Sequence, residues 1–385
     1  MYTGGIADHW QAGLHINGKA VALSNQLLLE MTVRSGVHRT LPTCLIRIFD
    51  HGCQILEKIG PQDGMPLKIA MSDGRGGYDY SGNFIILGTP GAKTTRKGFV
   101  LSINGIWDAP AYMFSQANTW TKGTSTAAIA NIAGRCGLKF DGDGTSDLQA
   151  WFPGAQTMAA FASSIAAKGH AGGSGAMVHG VTDRGVLRYK NITDIVGGVG
   201  GGKRFGGNGT EKGRIPILDM EVTSKAPAYN ASGGYGSKLK GYDYLGKALG
   251  GALGGIGGAT LAQMGSGLNG AASSIMSAMG GNPASVIHAP QHPGKGVIHD
   301  NYFEAMVQNR RVASTYSTDV KIVYPNSTDL AILDPAHFQC INMLDGSPIR
   351  QYSGGYVVSN LVRTVVGGWY FEKPTLSTNA AAGGE

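Results

Sequence analysis

Between Leu245 and Gly281 the chain reads LGKALGGALGGIGGATLAQMGSGLNGAASSIMSAMGG, with Lys247 as its single charge. A soluble surface needs charge and a buried helix needs large apolar side chains; this tract supplies neither. Glycine also loses the most backbone entropy on ordering, which disfavours any regular element here. Yet Gly246, Gly250, Gly254 and Gly258 recur at a spacing of four, beside Leu245, Leu249, Leu253 and Ile256. On a helix that spacing gives a smooth groove next to an apolar ridge, a face suited to close helix packing. Three accounts stay open: a loosely packed loop, a helix packed against symmetry mates, and a membrane-active segment. Glycine's small transfer energy weakens the last, because it leaves only Leu249, Leu253, Ile256, Leu261 and Met264 to insert.

The glycine excess is local. Of 62 glycines, 27 lie between Ile195 and Asp300, so the remainder of the 385 residues reads as ordinary globular sequence. The net charge of +7 is spread out, and the densest basic group, Lys93–Lys97 (KTTRK), falls in an expected hairpin loop. A nucleic-acid binder carries a longer basic stripe with aromatics, so no specific nucleic-acid partner is expected. Cys44, Cys53, Cys136 and Cys340 lack metal-ligand spacing and read as small, reduced, mostly buried residues. The first residues show no basic segment followed by an apolar run, so no secretory leader is expected.

Short apolar runs separated by Gly- and Asp-rich turns fill residues 23–115: Leu27–Val33, Cys44–Phe49, Leu67–Met71, Phe84–Leu87 and Phe99–Ile106. Such spacing predicts strands of a barrel or sandwich. The character changes at Thr121. Thr124 or Ser125 caps a predicted helix that ends at Gly137, and a second helix runs from Thr157 to Lys168 with Gly169 as its C′ residue. Ala176–Val181 and Val186–Tyr189 form an expected hairpin around Thr182–Gly185. A strand is expected over Ile215–Val222. From Tyr302 the β pattern returns, with strands over Asp319–Tyr324, Leu330–Leu333, Phe338–Met343 and Tyr356–Val366, and a Gly367-Gly368 turn into Trp369–Phe371. The chain therefore reads as mainly β with an α+β middle: residues 1–118 a first β domain with an N-terminal arm, 119–195 a small α+β domain, 196–300 a Gly/Ala-rich insertion and 301–385 a second β domain.

Signatures of chemistry are weak. Gly197–Lys203 has the outline of a phosphate loop, but Arg204 stands where Ser or Thr would hold a metal and no hydrophobic helix follows. His288, His292 and His299 lie around Pro290 and Pro293, which breaks the helix a four-residue ligand spacing needs. Asp141, Asp143 and Asp147 resemble part of a calcium loop, but Phe152 occupies the position of its last ligand. No nucleophile motif or metal-protease motif is present. Neither a cofactor nor a metal is expected, and catalysis is not.

Several stretches, in order, resemble the baseplate or tail hub of tailed bacteriophages. They are Gly123–Phe140 (GTSTAAIANIAGRCGLKF), Trp151–Thr157 (WFPGAQT) with the helix MAAFASSIAAKGH, the hairpin Gly180–Asn191, the run Asn230–Gly236 (NASGGYG), and Tyr352–Thr364 continuing to Gly367–Phe371. The resemblance covers about half the chain. It implies two tail-tube-like β-barrel domains, here about 23–115 and 302–376, joined through the α+β unit at 121–192. It also implies a homotrimer, in which six barrels face a hexameric tail tube protein. A central spike or tip protein sits on the other side and the tape-measure protein in the lumen. Localisation would be the virion tail, assembled in the host cytoplasm, with membrane contact only during ejection. The Gly-rich insertion departs from that pattern. Its candidate role is at the trimer axis, through Leu245, Gly246, Leu249, Gly250, Leu253, Gly254, Ile256 and Gly258. Trp107, Trp120 and Trp369 are candidate interface anchors on residue type alone. The alternatives are a hub-spike component of a contractile secretion-type machine, or an enzyme with an unrecognised site.

Overall fold

The computed structural model describes residues 10–24, 26–37, 39–75, 79–95, 98–117, 121–172, 175–198, 201–206, 213–224, 238–240, 286–288, 302–342 and 347–379. The eight candidate axial residues, from Leu245 to Gly258, lie outside the described residues, as do Trp120, His292 and His299.

The first unit holds β1 (Gln11–Ile16), β2 (Lys19–Val21), β3 (Leu28–Gly36), β4 (Thr43–His51), α1 (Gln54–Lys58), β5 (Pro66–Ser72), β6 (Tyr80–Ile86), β7 (Gly91–Thr95), β8 (Gly98–Trp107) and α2 (Pro110–Phe114). Alternation decides the inward face. In β4, Cys44, Ile46, Ile48 and Asp50 are buried while the side chains between them are not. Ile46, Ile69, Ile103, Met31 and Phe84 join in one core, each aliphatic contributing roughly 1.5–3 kcal/mol by leaving water.

The middle unit comprises β9 (Thr121–Gly123), α3 (Ser125–Arg135), β10 (Lys139–Gly142), β11 (Gln149–Trp151), α4 (Met158–Lys168), β12 (Met177–Val181), β13 (Val186–Asn191) and α5 (Ile192–Gly197). Thr124 caps α3 by accepting from the Ala127 amide, and Thr157 caps α4 by accepting from Ala160. Ile129 and Ile132 of α3 and Phe161 and Ile165 of α4 share a core with Leu187 and Tyr189 of β13.

The last unit contains β14 (Lys203–Gly206), β15 (Arg214–Ile215), β16 (Asp219–Ser224), the short pair β17 (Lys238–Lys240) and β18 (Val286–His288), α6 (Tyr302–Thr315), β19 (Thr318–Val323), β20 (Pro335–Gln339), β21 (Gly354–Val366) and β22 (Trp369–Thr378). Its core is built on Phe205, Val320, Ile322, Phe338, Val358 and Leu376. The two β units share one hairpin. β22 runs along one edge of β21; on the other edge β21 pairs first with β20 and then, from Asn360 to Val366, with β3 of the first unit. A register shift between Val358 and Asn360 marks the change. Through this hairpin 15 strands form a single hydrogen-bonded sheet.

Several sequence expectations need correction. The N-terminal arm contains β1 and β2, and β1 pairs with β5 over its full length. The stretch assigned to the insertion contributes β14, β15 and β16, which pair with β20, with β14 and with β19 respectively. Pro216 divides the expected Ile215–Val222 strand, since it has no amide to give a ladder. Residues from Tyr302 begin with a helix. That helix is held by its polar face: Gln308 and Asn309 donate to the Gly169 and Ala167 carbonyls at the C-terminus of α4 (2.6 and 3.0 Å), capping orphan acceptors. Gly169 is extended rather than left-handed, with φ −76. It is required instead for space, because a Cβ there would lie 2.6 Å from Ser125 Oγ and the Tyr189 hydroxyl. Leu330–Leu333 is fully buried but forms no strand; Leu333 has φ 64 and turns the chain.

Candidate functional site

All three units meet in an apolar cluster of Val37, Val178, Ile192, Leu333 and Val357, and again, through polar groups, at the β12–β13 turn, Thr182–Gly185. Gly185 has φ 71, and a Cβ on it would come within 2.6 Å of the Trp107 indole, so only glycine lets the turn seat against the first unit. Trp107 in turn packs edge-on to Phe84 with ring centroids 5.4 Å apart. The Asp183 carbonyl accepts from the Tyr80 hydroxyl at 3.0 Å. On the opposite side Arg184 donates to the Asp329 carbonyl at 2.5 Å, and Arg188 to the Ile332 carbonyl at 2.7 Å and to Asp334 Oδ1 at 2.6 Å.

Arg363 completes the junction. It sits in the shared hairpin, opposite Glu372 in the β21–β22 register, and its side chain is fully buried. Its Nε donates to Asp183 Oδ2 at 2.7 Å, and one Nη pairs with Glu372. The remaining donors reach the Thr328 and Leu330 carbonyls at 2.9 and 2.6 Å. Its guanidinium lies 5.5 Å from the centre of the Tyr80 ring. Glu372 also accepts from Tyr324 (2.6 Å), Tyr370 (2.7 Å) and the Thr328 amide (3.0 Å). Burial alone would lower the Arg363 guanidinium; the charges of Asp183 and Glu372 instead hold it well above its ordinary value. Burial, and then the Glu372 charge, push the Tyr324 and Tyr370 phenols up. A pair so enclosed gains little net stability over apolar packing, but removing one partner strands a buried charge. It also explains the Leu330–Leu333 loop. Its buried carbonyls, without a ladder, are satisfied by Arg363 and Arg188. Asp73 extends the contact between the β units by accepting from the Ser327 amide at 2.9 Å.

The sequence candidates fall elsewhere. Asp141, Asp143 and Asp147 each bind protein donors: Asp141 pairs with Lys190 and Arg188, Asp143 with Lys190 and the Asn191 amide, and Asp147 accepts from the Ser125 and His170 amides. The carboxylates thus hold the β10 end, α3 and the 170 loop together. The glycine loop before Lys203 opens into β14, a strand parallel to β20, and Lys203 pairs with Asp329 at 2.7 Å. His288 ends β18. Trp107 is packed at the junction and Trp369 is half-buried beside the hairpin turn. Arg363, Asp183 and Glu372 were missed by sequence reasoning. A signal existed: two charges in strand sequences flanking Gly367-Gly368 are placed opposite each other by that turn. Among the described residues no group of three or more metal-ligating side chains converges, and no helix is long and apolar enough to cross a membrane. What the site does chemically is to lock three units in one orientation.

No protein-family model matches the chain, and no curated protein matches it by sequence. Solved structures do. The chain is similar to the 43 kDa tail protein of prophage MuSo2 from Shewanella oneidensis, with a TM-score of 0.61, 9% identity, and 97% of this chain and 99% of that one covered. It is similar to a tail protein from Neisseria meningitidis MC58, with a TM-score of 0.55, 11% identity and coverage of 97% and 98%. It also matches an E. coli type VI secretion component described as structurally similar to phage T4 tail proteins gp27 and gp5, with a TM-score of 0.51, 10% identity and coverage of 95% and 76%. The fold is that of these tail proteins, spanning nearly the whole chain.

Proposed function

We propose that this chain is a structural, non-catalytic hub of a phage or prophage tail. The observation that carries the reading is the end-to-end likeness to a tail protein, 97% of this chain against 99% of that one. The rigid junction supports it. A part that transmits load between a tube and a tip needs its two β units fixed, and Arg363 with the shared hairpin fixes them. In this reading three copies surround the tail axis, so six β units meet a hexameric tail tube protein. The other face holds the central spike or tip protein, and the tape-measure protein occupies the lumen. The chain resides in the virion after assembly in the host cytoplasm.

Sedimentation of the purified full chain tests the oligomer, with a trimer as the expected species; a stable monomer that also fails to co-purify with tail tube or tip protein overturns the reading. The axial role of Leu245–Gly258 has its own test. Gly250→Leu with Gly254→Leu should block trimer or tail completion, and normal infectious particles would exclude close packing there. The secretion-machine alternative draws on the type VI component match; a cryo-EM map of the particle containing the chain separates the two.

A further inference from the structure

The outer face of the last unit carries an unusual row. β15, β14 and β20 are parallel neighbours, and their register sets Arg214 beside Arg204 and Arg204 beside His337. Phe205 and Phe338, one residue along, face the core, so by alternation the three basic side chains share the opposite face. Adjacent strands lie about 4.8 Å apart, which makes the row roughly 10 Å wide. Like charges directly opposite across strands are destabilising. Arg204 makes no ion pair among the described residues. The nearest charged pair, Lys203 with Asp329, belongs to the alternate side-chain register. Burial, with Arg214 and Arg204 close by, holds the His337 imidazole below its ordinary value. On the same face His337 Nδ1 and Gln339 Oε1 are buried without a hydrogen-bond partner, although both side chains are only half-buried.

We propose that the Arg214–Arg204–His337 row is a docking site for a carboxylate side chain on an extended peptide segment of a partner protein. Charge complementarity and size select this occupant. Arg204 presents an exposed guanidinium, and Arg214 beside it, which also donates to the Phe205 carbonyl at 3.4 Å, adds a second positive charge toward one oxyanion, whereas a nucleic-acid backbone needs a longer basic track. The row instead ends at Gly355, opposite His337 on β21, where the Val196 carbonyl of α5 closes the face. The unpaired Gln339 Oε1 needs a donor, which a peptide amide supplies and a phosphodiester lacks. The proposal stands on this face alone and survives failure of the hub reading.

The test is fluorescence anisotropy of a labelled hexaglutamate peptide, acetylated and amidated at its ends, against the full chain at low salt. A hexaglutamine peptide with the same ends is the control. Saturable binding of the hexaglutamate alone is expected. It should weaken roughly tenfold or more in Arg204→Gln with Arg214→Gln, the scale of lost charge-assisted hydrogen bonds, but not in Lys93→Gln on β7. The His337 ring resonances should shift on adding hexaglutamate. Equal binding by the double variant, with its melting temperature unchanged, overturns the site. Stronger competition by inorganic phosphate or oligothymidylate than by unlabelled hexaglutamate overturns the carboxylate occupant.

Discussion

Replacing Arg363 with methionine isolates the junction. Methionine retains much of the length of the side chain but removes the charge and every donor. Asp183 and Glu372 would then be two carboxylates with side chains at most 1% exposed and no cation between them. The Thr328 and Leu330 carbonyls would also lose their donors. Breaking one partner of a buried ion pair costs about 3–5 kcal/mol. For a chain of this size that corresponds to a melting temperature roughly 4–6 °C lower, read by calorimetry. The pH dependence gives the stricter test. In the variant the stranded carboxylates favour uptake of a proton in the folded state. The proton-bound form is stable below the ordinary carboxylate range, and stability is lost as pH rises through the raised folded value. The deficit relative to the native chain should therefore be large near pH 7 and shrink toward pH 4. Glu372→Gln, which keeps the shape and removes one charge, should relieve part of it, so the double variant loses less than the two single losses summed. A deficit below about 1 kcal/mol, or one unchanged between pH 4 and 7, would refute the argument.

Other outcomes follow from single sites. Gly185→Ala forces a Cβ against the Trp107 indole at a left-handed φ; it should cost about 1–3 kcal/mol and alter tryptophan emission on unfolding. Burial pushes the Cys44 thiol up and raises those of Cys136 and Cys340, while Cys53 is only half-buried. Brief treatment of the native chain with iodoacetamide should thus label Cys53 first, as peptide mass mapping will report. Lys203 beside Asp329 holds that carboxyl below the usual range. The stabilisation is present above the ordinary carboxylate value and is lost as pH falls through the depressed one. Both side chains are substantially exposed, so Lys203→Met should cost under about 1 kcal/mol, an effect that disappears in about 1 M salt.

The sequence by itself determined the elements whose signals are local. Thr124 and Thr157 cap their helices where a hydroxyl precedes an apolar stripe, β4 and β5 follow the two-residue alternation between turn residues, and the β-branched run Tyr356–Val366 forms most of β21. Local signals failed where tertiary contacts replaced the usual partners. The apolar run Leu330–Leu333 imitates a strand, but arginine side chains take the carbonyls that a ladder would bind. The helix Tyr302–Thr315 has a polar face because that face caps α4, so its pattern did not read as amphipathic. Gly169 ends α4 as its sequence position suggests, but in an extended conformation and at a position of close approach that no local signal reveals. The junction was the least legible part. Turn symmetry about Gly367-Gly368 places Arg363 opposite Glu372, but nothing local brings in Asp183, 180 residues from Arg363, or joins Asp73 to Ser327 across 254 residues. Backbone preferences and side-chain periodicity act over a few residues, so the sequence alone reached the strands, helices and turns. The orientation of the three units rests on contacts drawn from all of them, the buried charge of Arg363 and the apolar cluster of Val37, Val178 and Leu333, and only the complete tertiary structure brings those partners within reach.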